Sequence, residues 1–326
     1  MDAGKSTHRS YPAAPGVTGG GPSAEHDYAL GLALHYYLTG DPDSKAAVVE
    51  LANWVCAMDD GRKNIFRWLD RGDTGWASAT GSLEYQGPGR GAGNSIATLL
   101  TAARVTSHHA FVSKAEALIR RCIHPSDDPN RHDLLDPERR WSYTVFVQAL
   151  GSYLRFKAER NELDGAYAYA RDSLLTYARW MRGAEYPYLD KPELLEYPTE
   201  TWVAQELRKA EVFVTASLYT DGAEREQMKE RAEFFFEYAI RTLHTLPTAS
   251  FTRPLALILS YSGAVPWLRL HPDARAGHTA TPPASVHAAP QATFVPQRFR
   301  AIRRAKIGMA AGAVTAVLSA LMWLLR

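Results

Sequence analysis

The chain has 326 residues, a 46% apolar fraction and a formal net charge of +2, from 37 basic and 35 acidic side chains. That length allows one large core, or one domain with appendages. The near-neutral balance argues against nucleic acid as a partner. Two cysteines, Cys56 and Cys122, are too few for a disulfide framework, and no Cys/His spacing suggests zinc. No metal or cofactor is therefore expected.

Residues 1–22 are rich in Gly, Pro, Ala, Ser and Thr and lack an apolar h-region. That composition predicts a disordered segment with no secretory signal. From Ser23 to Leu270 two kinds of helical segment alternate. Ala24–Leu38, Asn94–Val105, Trp141–Phe156, Trp202–Tyr219 and Leu255–Tyr261 are apolar nearly all round. Lys45–Met58, Val112–Cys122, Ala166–Met181 and Glu224–Leu243 are amphipathic. The first pattern predicts helices surrounded by protein and the second predicts helices with one wet face. Alternation then implies an inner layer of helices wrapped by an outer one. Links such as Thr39–Pro42 and Thr220–Gly222 are short and full of breakers, which favours antiparallel pairs. The acidic stretch Pro125–Glu138 has no EF-hand spacing and is expected to be a connecting loop.

Residues 271–306 form a Pro/Ala-rich linker that ends in Arg298, Arg300, Arg303, Arg304 and Lys306. Ile307–Leu325 then holds no charge and no proline. At about 1.5 Å rise per residue it spans roughly 28 Å, close to a bilayer's hydrocarbon thickness. The basic cluster on its N-terminal side predicts a single-pass tail anchor with the helical domain on the cytoplasmic side. Gly308 and Gly312 give a small-xxx-small spacing that would permit close helix pairing.

Paired helices, with Tyr37-Leu38-Thr39-Gly40-Asp41 closing the first of them, resemble the (α/α) toroids. These include six-hairpin glycosidases, unsaturated glucuronyl hydrolases and heparinase-type polysaccharide lyases. The resemblance covers Ser23 to Leu270. Four full hairpins and part of a fifth are legible, so the expected fold is all-α: an incomplete (α/α) toroid plus a C-terminal transmembrane helix. The resemblance implies a carbohydrate-active or carbohydrate-binding protein, acting on a uronate-containing glycan by hydrolysis or β-elimination. In such toroids the polar ends of the inner helices converge on one mouth.

Those ends carry the candidate residues. Glu25-His26-Asp27 has the types for acid/base work, with a carboxylate orienting the imidazole; capping of the first helix by Ser23 and the two acids is the alternative. Tyr85 to Asn94 is Gly-rich, opens the second inner helix and includes Arg90. Backbone N–H groups there, with a fixed guanidinium, would suit a carboxylate. Trp141, Tyr143 and Trp202 offer flat faces to sugar rings, or serve as core. Glu25 and Glu200 are candidate paired carboxylates for glycoside hydrolysis. For a lyase, Tyr143, Tyr85 or His26 would be the base, with Arg90 or Asn94 neutralising a uronate. Gln205 and Arg253 complete the set. The competing expectation is a non-catalytic, membrane-anchored scaffold that binds a protein partner through an apolar groove.

Overall fold

The turn at Thr39–Pro42 sets the pattern for the chain. Gly40 takes the left-handed conformation (φ 73°), and its N–H closes the preceding helix on the Tyr36 carbonyl at 2.8 Å. A Cβ would be strained at that φ. Asp41 then caps the next helix, accepting from the N–H groups of Asp43 and Ser44, with Pro42 in the first turn. One helix stops and its neighbour starts within a single tight turn, so the two fold back on each other.

The computed structural model describes residues 23–247, 252–276 and 293–324; side chains are described as far as Ser319. The described residues form only helices, with no strand. They are α1 (Leu30–Thr39), α2 (Pro42–Asp59), α3 (Arg90–Thr106), α4 (His109–Cys122), α5 (Pro137–Arg140), α6 (Tyr143–Glu159), α7 (Gly165–Ala184), α8 (Glu200–Ser217), α9 (Gly222–Thr245), α10 (Thr252–Tyr261), α11 (Ala264–Leu270) and α12 (Gln297–Leu324). The all-α class expected from the sequence is what the chain adopts.

Helices α1 and α2, α3 and α4, α6 and α7, and α8 and α9 pack as consecutive pairs. The first helix of each pair also packs on the first of the next: α1 on α3, α3 on α6, α6 on α8, and α8 on α10. At the α3–α6 crossing a Cβ on Gly93 would lie 3.0 Å from the backbone of Phe146. Only a residue without a side chain permits that approach. Ile96, Leu99, Phe146, Leu150, Val203, Leu207 and Phe213 then fill one continuous core. The expected loop Pro125–Glu138 is irregular apart from the 3-10 turn Pro129–His132 and the start of α5.

Two clusters of buried charge hold opposite charges against one another. Asp59 is fully buried and receives Lys114 Nζ at 2.5 Å and Arg121 Nη2 at 2.7 Å, with Asp73 completing the cluster. Burial raises the Asp59 carboxyl, but Arg121 and Lys114 outweigh it and hold the group below its usual value. Lys209, also fully buried, meets Glu185 at 2.8 Å and Glu206 at 3.0 Å.

Four expectations need correction. Helix α1 starts at Leu30, not Ala24, because Ala24–His26 is a 3-10 turn tied sideways to α3. The Asn94 amide donates to the Glu25 carbonyl at 2.7 Å and the Thr98 hydroxyl to the Asp27 carbonyl at 2.6 Å, so those carbonyls are taken. Nor is α1 surrounded: of its own residues only Ala33 is buried. Trp141 lies between α5 and α6 rather than inside a helix. Finally, the last part of the predicted linker is helical. Gln297 is buried and its amide donates to the carbonyls of Gly61 and Asp70, both at 2.6 Å. Arg300 and Arg304 ion-pair with Asp70 at 2.8 and 3.0 Å. The Arg300 guanidinium, above all, holds the Asp70 carboxyl down at about 2. Two of the basic residues expected beside a membrane therefore clamp α12 to the domain.

Every described side chain from Ile307 to Ser319 is exposed. Among the described residues no helix is long and apolar enough to cross a membrane. The predicted span Ile307–Leu325 runs beyond them, as does the predicted disordered segment 1–22.

Replacing Gly93 by Ala gains helix propensity, about 1 kcal/mol, but drives a methyl into α6. We expect a net loss of about 1–3 kcal/mol. Urea unfolding of G93A measures it, and an unchanged midpoint would show that α3 and α6 do not pack this closely.

Candidate functional site

The lateral ties between the Ser23–Asp27 turn and α3 bring Glu25, His26 and Asp27 to the helix ends. A cavity of about 660 Å³ opens there. Its walls come from the Asp27–Leu30 stretch and from α3, α6, α8 and α10, with Trp141 at the entry to α6. Of the residues singled out in the sequence, His26, Asp27, Arg90, Asn94, Trp141, Gln205 and Arg253 line it. Trp202 lines an adjoining hollow of about 300 Å³, which shares Arg90, Trp141, Gln205 and Arg253 with the cavity. The two spaces meet at one cationic, aromatic junction.

At that junction the Arg90 guanidinium lies 5.7 Å and the Arg253 guanidinium 5.6 Å from the centre of the Trp141 ring. Arg208 joins them from α8 and lies 4.4 Å over Tyr261. Only Arg90 has a carboxylate partner, Glu25 at 2.6 Å. Arg208 bonds the neutral oxygens of Gln148, Gln205 and Tyr261 at 2.5, 2.8 and 2.9 Å. Arg253 has no hydrogen bond or ion pair among the described residues. Burial, then Arg90 and Arg208, lower its guanidinium below the ordinary value. An arginine so perturbed is still charged at neutral pH.

The one acid on the wall behaves differently. Asp27 is 4% exposed. Burial pushes its carboxyl well above the usual carboxylate range, more than its own backbone N–H and the nearby Ser95 hydroxyl pull it down. Neither carboxyl oxygen makes a hydrogen bond of ordinary geometry. The cavity thus offers two guanidinium groups with no carboxylate in direct contact, one protonated-leaning carboxyl and aromatic faces. That set has the chemistry to accept an anion.

Other expected residues lie elsewhere or are already engaged. Glu25 is held by Arg90 and by the Gly81 N–H at 2.6 Å, so it acts as the arginine's counter-ion. Glu200 is buried in the first turn of α8 and lines none of the described hollows. Glu25 and Glu200 therefore do not face each other across the cavity as paired carboxylates. Tyr143 is fully buried and its hydroxyl donates to Glu185. Burial and the Glu185 charge raise the phenol far above its usual value, which unsuits it as a base. Tyr85 donates to the Pro88 carbonyl at 3.0 Å and lies under Arg140, away from the cavity. At the Gly-rich start of α3 two N–H groups are already engaged. Gly91 N–H bonds the Thr80 hydroxyl at 2.9 Å and Arg90 N–H bonds Ser142 at 3.4 Å.

Sequence reasoning missed Arg208, Tyr28 and Tyr261. Arg208 stands one turn after Gln205 on a helix otherwise read as apolar, and that intrusion was its signal. Among the described residues no group of three His, Cys, Asp or Glu side chains is placed to hold a metal ion.

A carboxyl whose folded value is raised keeps its proton after the unfolded chain has lost it. Its contribution to stability is complete below about pH 4 and falls as pH rises through the raised value. Asp27→Asn removes that loss. In urea unfolding at a series of pH values, the variant should match the parent near pH 4 and exceed it at pH 7. A variant less stable at pH 7 would mean that Asp27 is ionised and paired.

No protein-family model, curated protein or solved structure matches the chain.

Proposed function

We propose that this protein binds an acidic sugar of the uronate class in the arginine-lined cavity, while α12 tethers it to a membrane. The observation that carries the reading is the trio Arg90, Arg208 and Arg253 around Trp141, with one paired carboxylate among them. A uronate matches it in two ways. Its carboxylate suits a guanidinium fork, and its ring face suits an indole. The volume of about 660 Å³ lies in the usual range for small-molecule sites, and the adjoining hollow leaves room for a second unit.

The order of packing also supports the incomplete toroid. Each of α1, α3, α6, α8 and α10 packs on the next, and each stands at or beside the cavity. In that reading Asp27 supplies a proton to a glycosidic oxygen, and His26 next to it takes part in proton movement. The tether reading rests on the uncharged stretch of α12 from Ile307, whose described side chains as far as Ser319 are all exposed. A second reading, a scaffold for a protein partner, draws on the uncovered faces of α1 (Leu30, Leu34, Leu38) and α10 (Leu255, Leu259). A partner there would fill the arc between the two.

Calorimetric titration of the full chain in lipid nanodiscs tests the sugar reading. Oligogalacturonide should bind, and the same oligosaccharide with its carboxylates reduced to alcohols should not. A charge-assisted hydrogen bond contributes about 1.5–3 kcal/mol, so Arg208→Met or Arg253→Met should weaken binding roughly tenfold or more. Release of reducing ends, if the protein turns the sugar over, should vanish in Asp27→Asn while binding persists. Equal affinity for the acidic and the neutral sugar would end this reading.

A further inference from the structure

The segment Gly61–Arg71 has no part in the cavity, yet its side chains are unusual for a surface turn. Asn64 caps a 3-10 turn, Ile65–Trp68, by accepting from the Phe66 N–H at 3.1 Å. The turn throws Ile65 and Trp68 outward, 82% and 78% exposed, with Leu69 beside them. Arg62, Lys63, Arg67 and Arg71 stand in the same short segment and are all exposed, Arg62 paired with Asp60 at 3.0 Å. The Arg67 guanidinium lies 4.8 Å over the Trp68 ring. Bulky apolar groups flanked by cations do not suit water, but they suit the boundary between headgroups and acyl chains.

Position supplies the second argument. The same segment is what α12 docks on. Gln297 bonds Gly61 and Asp70, Arg300 pairs with Asp70, and Arg304 donates to the Leu69 carbonyl at 2.6 Å. Arg304 precedes Ile307 by three residues, roughly 4.5 Å along the helix. The turn is thus strapped to α12 just ahead of its uncharged part. The exposed Arg303 and Lys306 add to the same basic field.

We propose that the turn Ile65–Trp68 is a second membrane contact, seated in the headgroup layer of an anionic bilayer beside the point where α12 enters. The contact rests on the tether proposed above and goes beyond it. It gives the domain a fixed attitude: Trp68 and Ile65 enter the interface, Lys63, Arg67 and Arg71 meet lipid phosphates and carboxylates, and the Asp70 clamp holds the turn at that level.

The test uses the full chain, with Cys56→Ser to remove the half-buried thiol. A fluorescent thiol label is placed at Ile65→Cys or at Thr315→Cys, and the protein is reconstituted in phosphatidylcholine vesicles with or without phosphatidylserine. Lipids carrying a quencher at shallow or deep positions report depth. The account expects shallow quenching at position 65 in phosphatidylserine vesicles and deep quenching at position 315 in both. Lys63→Glu with Arg67→Glu should cut quenching at position 65 about fivefold or more and leave position 315 unchanged. Quenching at 315 with none at 65 overturns the second contact and leaves the tether standing. No quenching at either position overturns the tether, and this contact with it. Equal quenching at 65 without phosphatidylserine, or in the charge-reversed variant, overturns the choice of an anionic surface.

Discussion

The cavity depends on how closely α3 approaches α6. Gly93 lets the two backbones pass almost in contact, and it sits one turn after Arg90. The same crossing brings Arg90 beside the Ser142 hydroxyl and over Trp141, just ahead of α6. A wider spacing would separate guanidinium from indole and open the core around Ile96 and Phe146. Packing and site are therefore set by one steric constraint. The ties from Asn94 and Thr98 to the Glu25 and Asp27 carbonyls extend it to the start of the domain.

Two clusters elsewhere in the interior set buried charges in direct contact with opposite ones. Around Asp59 two cations meet two carboxylates, and around Lys209 the ammonium meets Glu185 and Glu206. Removing one partner from such a group leaves a buried charge uncompensated, which is strongly destabilising. The cavity is arranged differently from those two clusters. Arg208 and Arg253 lack carboxylate partners, and the nearest wall acid, Asp27, is driven towards its neutral form. Like charges held close together oppose folding, and an anion bound among them would relieve that repulsion.

Much of the helical layout was legible because it follows from periodicity and turn chemistry. The breakers at Thr39–Pro42 mark a real turn, and α2, α4, α7 and α9 lie where an amphipathic pattern placed them. The wall residues His26, Asp27, Arg90, Asn94, Trp141, Gln205 and Arg253 were legible because each stands near the start of an apolar helix. What could not be seen depends on contacts across the chain. The Asp70 clamp on α12 joins residues 230 positions apart and turns a predicted linker into helix. Tyr143 looked like its neighbour Trp141 in sequence, but the break before α6 turns one to the cavity and the other to Glu185. Thr80 occupies the Gly91 N–H and Ser142 the Arg90 N–H, two of the donors expected at that helix start.

The central claim is that Arg90, Arg208 and Arg253 act as one anion site. Nuclear magnetic resonance of the arginine Nε–H groups, recorded while an oligouronide is added, tests it directly. The account predicts that these three signals move together along one binding curve, while exposed arginines such as Arg62 and Arg139 stay still. Three unmoved signals, or shifts shared equally with the surface arginines, would contradict it.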